Sequence, residues 1–206
     1  MQQFKFYSNP FYLILFCLFI FAQNSDAFDI KKIDIKNLKI GMTINQFKKK
    51  YPKIKIEKEL SEGKLEYYKA ISENVKVYFT RPDLGNKAFS IIYLKNFKQY
   101  LDREEINQVI DKAIKKYGKP AVNTYYNARQ RRRFIGYGDC EYFHGLYRVK
   151  DMITLEGEGF IIECSGSNIK FILESNKIER MNRDSWRNDV KKSKKNNVKK
   201  ETDDLF

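Results

Sequence analysis

The chain has 206 residues, with 40 Lys or Arg against 26 Asp or Glu, a net charge of +14 and one histidine. Such a length supplies one good hydrophobic core or two small ones, and the single imidazole at His144 leaves one position for any histidine-dependent catalysis. The positive excess favours anionic partners such as lipid headgroups, acidic glycans, acidic proteins or nucleic acid, although a lysine-rich, AT-biased genome would leave the same imprint.

The first 27 residues read as a targeting segment. Lys5 precedes an apolar run from Phe11 to Ala22, then Gln23-Asn24-Ser25-Asp26 and Ala27, after which a signal peptidase would cut. Twelve apolar residues span about 18 Å as a helix, short of the roughly 30 Å hydrocarbon core, so a cleaved leader is expected ahead of an uncleaved anchor. Cys17 follows Leu15-Phe16, where a lipobox needs small residues, and is expected to leave with the leader. The mature chain would then begin at Phe28, with a periplasmic destination and secretion or membrane anchoring as alternatives.

Residues 28–40 alternate loosely (Ile33, Ile35, Leu38, Ile40) and predict an entry strand. Gly41 then makes a turn, Thr43 offers an N-cap, and Ile44 and Phe47 share one helical face before Tyr51-Pro52 ends the helix. Strand chemistry follows at 53–59, 64–71, 75–80 and 88–94, with turns at 61–63, 72–74 and 81–86. Ser90-Ile91-Ile92-Tyr93-Leu94 is nearly continuous in apolar character and predicts a central strand.

A second helix is predicted from Asp102 to Tyr117. Asp102 and Glu105 have capping-box spacing, Ile106, Val109, Ile110, Ala113 and Ile114 fill one face, and Gly118 with Pro120 stops it. Strands are expected again at 122–126, 132–137, 152–156, 160–164 and 170–174, with turns at 157–159 and 165–168. The phrase Ile44-Asn45-Gln46 through Lys50-Tyr51-Pro52 returns as Ile106-Asn107-Gln108 through Lys116-Tyr117-Gly118, with four residues added. A helix over 175–190, carrying Ile178, Met181, Trp186 and Val190, is expected to dock on the second half with Trp186 as anchor. From Lys191 the apolar periodicity ends, six lysines fall within ten residues, and disorder is predicted.

The fold class expected is therefore α+β: two tandem helix-plus-antiparallel-meander units, a C-terminal helix and a basic tail. The division is leader 1–27, first unit 28–100, second unit with C-terminal helix 101–190, and disordered tail 191–206. The Gly41-Met42-Thr43 turn opening a helix that ends in Tyr51-Pro52, the meander, and the helix ending Lys116-Tyr117-Gly118-Lys119-Pro120 resemble small exported proteobacterial proteins. Their units are similar to the SmpA/OmlA (BamE-type) and β-lactamase-inhibitor-protein folds, and the likeness covers roughly residues 36–175. It implies a non-enzymatic protein that binds others through an open sheet face or serves as an envelope accessory factor. BamE-type members are single-unit lipoproteins, whereas this chain has no lipobox and two units.

Cys140 and Cys164 remain after cleavage, and an even count in an exported chain predicts a disulfide, worth roughly 3–4 kcal/mol for a loop of about 25 residues. Unpaired, Cys140 and His144 could form a nucleophile–base dyad, yet Gly136, Gly138 and Gly145 argue for a loop. Cys140, His144 and Cys164 with Glu141 or Asp139 could in principle hold zinc, but the spacing matches no standard site. Neither a Gly-x-Ser-x-Gly elbow nor a phosphate-binding glycine loop occurs, and Glu156, Glu158 and Glu163 read as solvated strand residues. No catalytic, cofactor or metal residue is assigned.

Two basic clusters stand as candidate binding surfaces. Arg129, Arg131, Arg132 and Arg133 begin a strand, with Arg129, Arg131 and Arg133 expected on one side near Tyr125, Tyr126, Phe134 and Tyr137. A charged edge or anion-facing surface explains them ahead of nucleic-acid binding, since an exported protein rarely meets nucleic acid. Lys191, Lys192, Lys194, Lys195, Lys199 and Lys200 could tether the chain to phospholipid or lipopolysaccharide phosphates, or only solubilise it. The function expected is an exported, non-catalytic binding or accessory protein of the bacterial envelope, with another envelope protein or an anionic membrane surface as partner. A secreted factor acting on a host or competitor molecule is the alternative, followed by a Cys/His thiol enzyme.

Overall fold

The computed structural model describes residues 29–60, 66–129, 131–141 and 152–203, which fold as an α+β protein with an eight-stranded antiparallel sheet. The expected leader, the expected turn at 61–63, His144 and Gly145 lie outside the described residues.

The entry segment is not a strand. Ile30–Lys32 form a 3-10 turn capped by Asp29, and Ile35 and Leu38 make an isolated bridge around Lys36 and Asn37, both with positive φ. Its apolar residues still sink into the core: Ile30, Ile33, Ile35, Leu38 and Ile40 are all buried. Alternation here lines a core without joining a ladder.

Helix α1 (Ile44–Lys50) starts where Thr43 predicts it. The Thr43 Oγ1 accepts from the Gln46 amide at 3.3 Å and Gln46 Oε1 accepts from the Thr43 amide at 2.8 Å, a reciprocal capping box. Strands β1 (Ile56–Leu60), β2 (Glu66–Ile71), β3 (Val75–Phe79) and β4 (Ala88–Asn96) follow as a meander. Gly41 and Met42 bond to the backbone of Ala88, tying the entry to α1 onto the start of β4.

Helix α2 (Arg103–Tyr117) has the Asp102/Glu105 capping box and ends at Gly118, whose φ of +83° lies in the region glycine tolerates best. Four strands succeed it: β5 (Val122–Asn123), β6 (Arg132–Gly138), β7 (Glu158–Ser165) and β8 (Asn168–Ser175). Residues 152–156, expected as a strand, are instead a strap. Ile153 makes a lone bridge to Cys140, and the Gly157 amide returns to the Thr154 carbonyl.

The strand order is β1-β2-β3-β4-β8-β7-β6-β5. β4 and β8 join in an unbroken antiparallel register from Ser90↔Glu174 to Asn96↔Asn168, so the two meanders make one sheet. One row of partners runs Ile56–Ala70–Val77–Ile91–Leu173–Phe160–Tyr137 across seven strands. This face meets Phe47 of α1 and Ile106, Ile110 and Ala113 of α2 in a single hydrophobic cluster. Each large aliphatic side chain or phenylalanine in it stabilises the fold by roughly 1.5–3 kcal/mol on burial.

The opposite face is thinner. Its row Ile71–Lys76–Ile92–Ile172–Ile161–Gly136–Val122 is covered at one end by Cys140, Met152 and Ile153. Residues 139–141, bridged to 152–154, complete the strap and sit so close that a Cβ on Gly136 would lie 2.9 Å from Cys140 Cβ, and one on Gly159 2.8 Å from Cys140 Sγ. Only glycine fits there.

Helix α3 (Asn176–Asp203) leaves β8 directly and departs from expectation twice. Its start is tied to the second half, where Asn176 donates to the Ile153 and Thr154 carbonyls and Arg180 pairs with Glu156, but it then lies against β2 and β4 of the first meander. The physical reason is a set of polar partners beyond β3: buried Asn182 Oδ1 accepts from the Arg81 amide at 2.8 Å, Ser185 bonds Asp83 at 2.5 Å, and Arg81 pairs with Asp189. Trp186 is half-buried. The helix also continues through Lys191 to Asp203, where disorder was expected. Docked turns have already met the cost of nucleation, and lysine propagates a helix readily once it exists.

Candidate interaction surface

Strand β6 disperses the arginine cluster. Arg133 points at the helical side, where its guanidinium donates to the Thr124 carbonyl at 2.9 Å, Asn107 Oδ1 at 2.6 Å and Asn123 Oδ1 at 3.1 Å. Arg132, on the other face, lies 5.1 Å over the Phe134 ring and pairs with Glu163 at 2.8 Å. Arg131 occupies the hairpin with φ +48° and sits 5.6 Å from the Tyr100 ring, and Arg129 is exposed. The four arginines do not form one surface. Alternation alone misplaces them because the strand starts at Arg132, so Arg129 and Arg131 belong to the turn.

Arg133 therefore has a structural role, and its replacement by alanine is expected to destabilise the protein by about 2 kcal/mol, since hydrogen bonds to charged groups contribute more than neutral ones. Urea denaturation of Arg133→Ala beside Arg131→Ala checks this: a substantial loss for the first and a loss under about 0.5 kcal/mol for the exposed second.

The cysteines are also apart. No bond joins them; both are free and buried. Cys164 faces the helical core with Phe160 and Ile162, while Cys140 sits on the opposite face over Gly136 and Gly159. The sheet itself separates them, which corrects the expected disulfide and divides the two thiols of the zinc set. Among the described residues no group of three His, Cys, Asp or Glu side chains could hold a metal ion. Burial pushes each thiol up to about 12, with Asp139 adding to the effect at Cys140. A thiol held protonated by burial is a poor nucleophile.

A surface that the sequence analysis did not single out lies on the thin face. Ile71 is 46% exposed at one end of it, and Ile92 and Leu94 are half-buried. The next row of partners reads Leu94–Lys170–Glu163–Phe134, with Glu163 bridging Arg132 at 2.8 Å and Lys170 at 3.7 Å. Apolar side chains thus flank a linked set of three charges. The signal for it was the apolar run Ser90–Leu94: a strand apolar in both phases has something to present on both faces.

Compared with models of protein families, with curated proteins and with solved structures, the chain finds no match. The surface must be read from its own chemistry. On the thin face that chemistry is half-exposed aliphatic groups beside the linked charges of Arg132, Glu163 and Lys170.

Proposed function

We propose that this chain is an exported, non-catalytic binding protein of the bacterial envelope that receives a protein partner on the thin face of its sheet. The observation that carries the reading is the partly exposed Ile71, Ile92 and Leu94 set next to the Arg132–Glu163–Lys170 network. Apolar residues ringed by polar groups are the usual composition of a binding patch. The repeated order of a helix followed by four meandering strands supports a tandem build, in line with the resemblance to SmpA/OmlA and β-lactamase-inhibitor-type units. The leader supports export, with Phe28 as the mature N-terminus.

A photo-crosslinking residue placed at Ile71 or Leu94 in the producing cell tests the site. Discrete higher-mass adducts from both positions, and none from exposed Lys112 on α2, are expected. Adducts of equal yield from Lys112, or none from either sheet position, would remove the thin face as the binding surface. Intact mass of the cell-envelope fraction checks the leader: a chain starting at Phe28 is expected.

A further inference from the structure

We infer that the C-terminal half of α3 is a docking face for an anionic lipid bilayer. Asn182, Ser185 and Asp189 attach the helix to the body. Nine residues separate Asn182 from Lys191, two and a half turns at about 3.6 residues per turn, so these two side chains leave the helix in opposite directions. Lys191, Lys194 and Lys195 share the side turned away from the three anchors, while Lys192 and Lys199 turn back towards the line of Ser185, and all five are exposed. The predicted tail becomes a helical array of positive charge, densest on the side turned away from the body.

Its composition favours a bilayer over nucleic acid. Lysine ammonium groups are compact charges that suit a fluid layer of headgroup phosphates, and their alkyl stems can lie along an apolar boundary. Val198, 62% exposed, stands between Lys191, Lys194 and Lys195 in direction, and Met181, 54% exposed, lies on the line of Lys199 about five turns earlier. The 191–203 segment has no aromatic ring on which bases could stack and no arginine to fork onto a phosphate. This surface is separate from the thin sheet face, so it does not depend on a partner there.

The test is sedimentation of the full chain with vesicles of phosphatidylcholine containing about one-third phosphatidylglycerol at low salt, compared with the K191Q/K195Q/K199Q variant. Glutamine keeps helix propensity, and the N-terminal segment is common to both chains, so its contribution cancels. Each lysine near an anionic surface contributes a factor of about five, and the triple variant is expected to bind at least tenfold more weakly. Binding of the parent should also vanish in pure phosphatidylcholine and fall steeply with added salt. Equal binding by parent and variant would overturn the inference. So would loss of binding to a single-stranded oligonucleotide with unchanged vesicle binding, which would move the surface to nucleic acid. Matching melting curves for the two chains would show that the helix itself is intact.

Discussion

Alanine at position 47 is expected to lower stability by about 3–5 kcal/mol, the usual cost of removing a fully buried phenylalanine. Phe47 has no solvent exposure, stacks on Tyr51 at 5.2 Å and meets Phe79 edge-on at 5.5 Å. It belongs to the same hydrophobic cluster as Ile106, Ile135 and Phe160, which lie on the far side of the β4–β8 seam. A loss at Phe47 should therefore reach the whole molecule. Urea denaturation of Phe47→Ala followed by far-ultraviolet circular dichroism and by Trp186 fluorescence should give one coincident transition at a lower midpoint, with unchanged slope. Two separated transitions would show instead that the halves fold independently and that the row from Ile56 to Tyr137 does not couple them.

The same cluster explains which parts of the fold could be read from sequence. Both buried helices were legible with their caps, because Thr43 and Asp102 act within one turn and need no distant partner. The strands of the first meander were legible from turns and alternation, and those of the second except for residues 152–156, which alternate like a strand but form the strap. The joining of the meanders was not: the β4–β8 seam is set by register between residues about 80 apart, and no local signal announces such a pairing. The placement of α3 failed for a similar reason. Asn182 reads as an exposed polar residue, and its burial is matched by the bond its Oδ1 accepts from the Arg81 amide, 101 residues away in the chain beyond β3. The arginine run was misjudged by a one-position question, where the hairpin stops and β6 begins, and that settles which side each guanidinium faces. The strap over Gly136 and Gly159 was hidden because glycine in a strand signals a close approach without saying of what.

Alkaline solution should weaken this protein well before ordinary strand or helix chemistry is affected. Cys140 and Cys164 titrate near 9.0 when exposed and are pushed up to about 12 by burial, while burial and then Tyr117 raise the Tyr137 hydroxyl from 10.0 to about 12. Between about pH 9 and 12 the unfolded chain has released these protons and the native one still holds them. The unfolded state then binds fewer protons, so stability falls as pH rises, whereas below pH 9 the contribution is fully present. The slope is about 1 kcal/mol per pH unit for each thiol, with Tyr137 joining above pH 10. Chemical denaturation at pH 8 and pH 10 should differ by roughly 2–3 kcal/mol in the parent, and the C140A/C164A variant should lose most of that difference whatever its stability at pH 8. The same burial predicts that neither thiol alkylates in the native protein at pH 8, where only about one in 10,000 would be thiolate, and that both label fully in urea. Rapid native labelling confined to Cys140 would mean that the strap of residues 139–141 and 152–154 opens on its own, exposing Gly136 and Gly159 while Cys164 stays closed within the core.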